Sequence, residues 1–207
     1  MTTITRPPRP RVGDIEAIRP PPEVLEHLDA MSIEFEYEIT KGGERVFVPV
    51  IVQFSNHCYT RTRLDSDPDD SVLFRERRKD GGVEERVWCP ERAAFSKRLP
   101  DILRGIGGLL CLRGDSKEIL YRVAGPGPRD GEDWYVCMRL SIKVATRELI
   151  ISVRSVHPRA NRPADVRGSS TRGWAIFAQR YSTWRAEHRW LIPLERKNPL
   201  HGEGVLE

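Results

Sequence analysis

Three short groups of residues carry side chains fit for chemistry. The stretch VQFSNHCYTRT, residues 52–62, begins as apolar alternation and ends in Ser55, His57, Cys58, Tyr59 and Thr60. If its strand continues to residue 60, Ser55 and His57 stand on the same face, one strand repeat apart. Histidine is the side chain whose unperturbed pKa lets it both take and give a proton near neutrality. A structural histidine donating to a backbone carbonyl would use the same letters. The stretch SVRSVHPR, residues 152–159, repeats the pattern with Ser155 and His157 at the end of a later apolar run. Parity alone does not bring the two ends together. The third group is Arg92, Ser96, Lys97 and Arg98, which fall on the first turns of a predicted helix. Basic side chains beside a helix N-terminus suit a phosphate, and they suit a solvated helix face equally well.

The chemistry these groups could perform together is metal-independent cleavage of RNA. It needs a base near a 2′-hydroxyl and cations for the phosphorane charge. His57 would be the general base or acid, Arg92 or Arg98 would hold phosphate, and Ser55, Thr60 and Ser155 would orient the groups. The expected catalytic set is therefore His57, Ser55, Arg92 and Ser155, with no cofactor and no metal. His57, Cys58, Cys89 and His157 lack the closely spaced ligand pairs of structural zinc sites. DSDPDDSVLFRE places acids at positions 1, 3, 5 and 12 of a calcium loop but lacks its glycine, so it reads as a solvated acidic loop that folds back on RERRK. No GxGxxG, P-loop, HExxH or GxSxG pattern occurs, which removes the common nucleotide-binding and hydrolase classes.

The elements that must position these residues follow from periodicity. SIEFEYEI, residues 32–39, alternates strictly, TKGGER is a turn, and VFVPVIVQFSNHCYT returns as a long strand. Residues 61–86 read as a charged loop, followed by a short VWC strand. PERAAFSKRLPDILRGIGG is a helix with Phe95, Leu99, Ile102, Leu103 and Ile106 on one stripe, and Pro100 kinks or restarts it. Three further strands follow in LLCLR, EILYRVA and WYVCMRLSIKV, and LIISVRSVH returns antiparallel to the last. GWAIFAQRY reads as one more strand and STWRAEHRWLIPLERK as a terminal helix or tail. PPPEVLEHLDAM starts a short helix. The order predicts an α+β fold, a mostly antiparallel sheet with one main helix packed on it in a single domain, residues 23–195. Residues 1–22, rich in proline and arginine, form an extended arm open to a protein partner, and 196–207 a flexible tail.

Ser55, His57 and Thr60, then Ser96, Leu99 and Pro100, then Ser155 form a recurring arrangement. It resembles a family of small uncharacterised bacterial proteins with an S-x-H-x-x-T strand end, an S-x-x-L-P helix and a late strand ending in a serine-containing rim. The resemblance covers roughly residues 45–180 and implies bacterial origin and a shared architecture. It brings no activity with it. The sequence departs from the pattern at Lys97 and at Val156–His157, where an aromatic residue is expected.

The chain has 207 residues, a net charge of +4 and 31% charged residues. That is long enough for a real core and too apolar, at 39%, for a disordered chain. Six of the 34 basic residues are lysine and 28 arginine, a preference that suits phosphate and also follows from a GC-rich genome. No apolar run reaches the ~20 residues of a membrane helix, and the N-terminus has no apolar segment of a secretory signal. The four cysteines are widely spaced and read as reduced thiols of a cytoplasmic protein. RGWAIFAQRYSTWRAEHRW interleaves tryptophans with arginines, as single-strand binders do; core packing explains the aromatics as well. The expected nucleic-acid contacts are Arg98, Arg139, Lys143, Arg180, Trp184 and Arg185. Two functions remain open: a metal-independent ribonuclease of toxin or effector type acting on RNA, and a non-catalytic module that binds nucleic acid or protein.

Overall fold

The computed structural model describes residues 15–38, 45–78, 80–114 and 119–187. Most of the proline-rich arm, the 196–207 tail and Trp190 lie outside these residues. Among the described residues eleven strands form two sheets. The larger has seven: β2 (Met31–Glu38), β3 (Arg45–Phe54), β7 (Leu110–Gly114), β8 (Ile119–Pro126), β9 (Asp133–Lys143), β10 (Glu148–Arg159) and β11 (Val166–Arg172). Their order across the sheet is β11-β7-β8-β9-β10-β3-β2. Every neighbouring pair is antiparallel except β10 and β3, which run parallel with Leu149 opposite Val50 and Val153 opposite Phe54.

The alternation in the sequence fixes which face is buried. Along β9, Trp134, Val136, Met138 and Leu140 are buried, and Val48, Val50 and Val52 of β3 and Leu149, Ile151 and Val153 of β10 continue the same layer. All three helices lie against this layer. They are α1 (Pro90–Ser96), α2 (Leu99–Arg104) and α3 (Gly173–Glu187). Phe95, Leu99 and Leu103 from α1 and α2, and Ile176, Phe177, Tyr181 and Trp184 from α3, share one core with the strands. Fully burying one such side chain contributes on the order of 2 kcal/mol.

Of the two outcomes expected at Pro100, the restart is the one found: α2 begins there after a break at Lys97–Arg98. Other expectations are corrected. GWAIFAQRY is helical. Its buried residues in α3, Gly173, Ile176, Phe177, Tyr181 and Trp184, recur at helical spacing. Trp184 is only 4% exposed and stacks on Tyr181, with ring centroids 5.6 Å apart, so it is a core residue with no face left for a base. The short helix near residue 25 is a single 3-10 turn, Glu26–Leu28.

Residues 61–86 are not a loop. They build most of a second sheet of β1 (Ile15–Ala17), β4 (Thr60–Thr62), β5 (Val72–Arg77) and β6 (Val83–Trp88), in the order β1-β5-β6-β4. The fold is thus α+β, with more sheet than the sequence reading allowed. Charge hides these strands, because arginines and glutamates fill many positions where apolar alternation would otherwise show. Glu85 accepts from Arg63 at 2.8 Å and from Arg75 at 3.1 Å. The acidic loop folds back, but onto Arg61 and Arg63: Arg61 grips Asp67 with both guanidinium nitrogens, and Arg63 meets Asp69.

Candidate functional site

Because β3 and β10 run parallel, both leave the sheet at the same end. This places Ser55-Asn56-His57 beside Ser155-Val156-His157. The Ser55 N–H donates to Val153 O at 3.0 Å, and the Ser55 hydroxyl donates to Arg154 O at 2.6 Å. The β3 strand does not continue to residue 60. It ends at Phe54, and Asn56–Cys58 form a 3-10 turn closed by Thr60 Oγ1 donating to Asn56 O at 2.8 Å. The turn sends Cys58 into the core, where burial pushes its thiol up to about 12 and leaves it inert as a nucleophile.

One carboxylate holds the turn. Glu76, on β5, accepts from Asn56 Nδ2 at 2.7 Å and from His57 Nε2 at 2.8 Å. Burial works to raise the Glu76 pKa, but the hydrogen bonds from His57 and Asn56 outweigh it, and the net shift is downward. An ionised carboxylate only accepts, so the His57 proton sits on Nε2 and the Nδ1 lone pair is left open. Nδ1 has no partner among the described residues, and the imidazole is 30% exposed.

A second, buried network lies behind the first. Arg92, reaching from α1, donates to Thr60 O at 2.7 Å, to His57 O at 3.5 Å and to His157 Nδ1 at 3.1 Å. A guanidinium cannot accept, so His157 Nδ1 is the acceptor and the His157 proton is on Nε2, donated to Ser155 Oγ at 2.7 Å. In this tautomer His157 does not activate Ser155 as a nucleophile. Burial first, and then the charges of Arg92, Arg159, His57 and Arg86, lower the His157 pKa to about 3. It is a neutral imidazole at physiological pH. Ser155 in turn bonds Cys137, which also bonds Tyr121, and the Tyr121 hydroxyl donates to both oxygens of Asp165 at 2.7 and 2.9 Å. These three residues are directly opposed on β8, β9 and β10.

Arg86, 4% exposed, ties β6 to β4 within the second sheet. It donates to Thr60 O at 3.0 Å, to Thr60 Oγ1 at 3.2 Å and to Glu84 at 2.7 Å. Two guanidinium groups therefore meet on one carbonyl oxygen, that of Thr60.

The structure brings His57, Arg92 and Ser155 into one neighbourhood, together with His157 and Thr60. Ser55 is beside them with its hydroxyl committed to the backbone. Arg98 stands at the start of α2, donating to Ala124 O at 3.2 Å with its guanidinium over the Phe95 ring. Arg139 and Lys143 point away from the helices on β9, and Arg180 and Arg185 ride on α3. They do not join the rim. Glu76, Asn56 and Arg86 are the residues that sequence reasoning missed. The Gly81–Gly82 pair, a turn signal inside the charged stretch, was the hairpin signal that would have found Glu76 and Arg86.

Among the described residues no group of three or more His, Cys, Asp or Glu converges to hold a metal ion. Nor is any helix among them long and apolar enough to cross a membrane. No curated protein and no solved structure matches the chain. A family model does match, over residues 23–181, a span that contains the turn, the helices and the late strand on which the resemblance rested. The chain belongs to the YjaZ family.

Proposed function

We propose that the protein acts on nucleic acid in the cytoplasm, cleaving RNA without a metal, and that His57 is the proton-transferring residue. The observation that carries this reading is the pairing of Glu76 with His57 Nε2, which fixes the tautomer and leaves Nδ1 unpartnered on a partly exposed ring. A carboxylate-oriented imidazole with one open nitrogen is the arrangement a general base requires. In RNA cleavage Nδ1 would take the 2′-hydroxyl proton as that oxygen attacks phosphorus and the 5′-oxygen leaves. The positive charges of Arg92 and Arg86, fixed at the Thr60 carbonyl, would favour the added negative charge of the phosphorane. Arg92 would act from behind the site and not as a direct phosphate ligand, since its hydrogen bonds go to Thr60, His57 and His157. His157, neutral down to low pH, has no part in proton transfer.

The test is incubation of the purified protein with single-stranded RNA and DNA in EDTA, beside His57→Ala and Glu76→Gln. RNA cleavage is expected from the wild type, with loss of at least 100-fold in His57→Ala, the low end of what general-base catalysis contributes. Glu76→Gln should fall between the two. Salt-sensitive binding that is equal in all three proteins, with no cleavage, would replace the ribonuclease by a non-catalytic binding module.

A further inference from the structure

All the described helices pack on one face of the seven-stranded sheet, and on the other face the outward side chains of β9, β10, β3 and β2 from Arg139 to Phe47 are exposed or half-buried, while Tyr135 and Ser155 farther along it are buried. Phe47, at the β3–β2 end of that face, is 67% exposed. Strand register arranges the outward side chains in rows. One row reads Ser141, Ile150, Ile51, Ser32 across the four strands. The next reads Lys143, Glu148, Pro49, Glu34, and beyond it Phe47 stands opposite Glu36. On the other side come Arg139, Ser152 and Gln53. The face is therefore apolar at Ile150 of β10 and at Ile51, Pro49 and Phe47 of β3, basic along β9, where Lys143 pairs with Glu148 of β10 at 3.8 Å, and acidic along β2.

We infer that this open face is where a second copy of the chain docks. A symmetric pair of facing sheets can be related by a two-fold axis along the strands or across them. An axis across the strands would lay β2 over β2 and β9 over β9, setting glutamate against glutamate and lysine against lysine. An axis along the strands, between β10 and β3, instead lays each β9 over the partner's β2. Lys143, which reaches Glu148 of its own chain at 3.8 Å, then falls in the same row as Glu34 of the other copy and can bridge the two carboxylates, and Ile150 of each copy meets Ile51 of the other. Facing sheets pack about 10 Å apart, a gap that a lysine and a glutamate can span between them. Four strands about 4.8 Å apart and four side-chain rows about 6.7 Å apart mark out roughly 500 Å² of projected sheet per copy. That is below the roughly 800 Å² per partner of a standard interface, so the expected dimer is a weak one, in the micromolar range. This inference does not depend on the ribonuclease reading.

Sedimentation analysis over about 1–200 µM tests it, with circular dichroism to confirm folding of each variant. The wild type should shift from monomer to dimer across this range. Glu34→Lys and Lys143→Glu should each weaken the dimer at least tenfold, and the double reversal should restore it. Phe47→Ser should leave a folded monomer. A wild type that stays monomeric at 200 µM would overturn the inference. So would a dimer indifferent to these changes, or a double reversal no better than its parents.

Discussion

His157 offers the sharpest test of the buried network. Its pKa is lowered to about 3 in the folded protein, against about 6.5 in an unfolded chain. As the pH falls below the unfolded value, the unfolded chain takes up a proton that the folded chain refuses. Stability is therefore complete above about pH 6.5 and is lost as pH falls toward the folded pKa. Integrated from about pH 7.5 to pH 5, this one group removes about 2 kcal/mol. His27 is shifted in the same direction, by burial and then by Lys97, so it adds to the total and has to be subtracted. The subtraction is made with His157→Asn, which keeps an acceptor for Arg92 and cannot titrate. Denaturant unfolding of both proteins at pH 7.5, 6 and 5 gives the comparison. The wild type should lose about 2 kcal/mol more than the variant between the first and last pH. Equal losses would show that His157 is not held neutral by its surroundings, and the tautomer argument for Ser155 would fall with it.

Two further predictions concern the frame around the site. A Cβ at Gly173 would lie 2.2 Å from Ile106 O, a backbone atom, so Gly173→Ala should cost about 3 kcal/mol or more and lower the melting temperature sharply. Gly105→Ala is the control: its Cβ would meet nothing closer than 3.7 Å, and it should be neutral or stabilising by about 0.5 kcal/mol. Arg86→Ala strips the Thr60 carbonyl and Glu84 of a buried partner and should cost about 3 kcal/mol in chemical denaturation. A loss under 1 kcal/mol would mean that β4 and β6 are held together without it.

The large sheet was legible because its strands bury chiefly one face, so apolar and polar residues alternate from Met31 to Glu38 and, past the buried Tyr135, from Val136 toward Lys143. The second sheet was not, since Arg63, Arg75 and Glu85 satisfy one another there and leave little apolar periodicity to read. Helix α3 was mistaken in part for a strand because Trp174, Ile176, Phe177 and Tyr181 are strand-favouring residues, although their burial follows helical spacing. At the site, Ser55 and His57 were assigned to one strand face, an argument that fails once the chain turns at Asn56. The two serine–histidine stretches were both visible, and their meeting was not. It depends on the parallel pairing of β3 and β10, and no local pattern in either strand specifies its neighbour.

That pairing also has a consequence in time. Ser55 and Arg154 lie 99 residues apart in the chain and are joined by a single hydrogen bond at the strand ends. On the ribosome, β3 is made long before β10 exists, and contacts of such sequence separation are slow to form because the loop between them must first be closed. His57 acquires its setting beside His157 and Arg92 only when the late strand slots in between β9 and β3. A nascent or truncated chain that stops short of β10 holds the histidine, the glutamate and the arginines without the site. Whatever the site does, the chain can do it only once β10 has been made and paired.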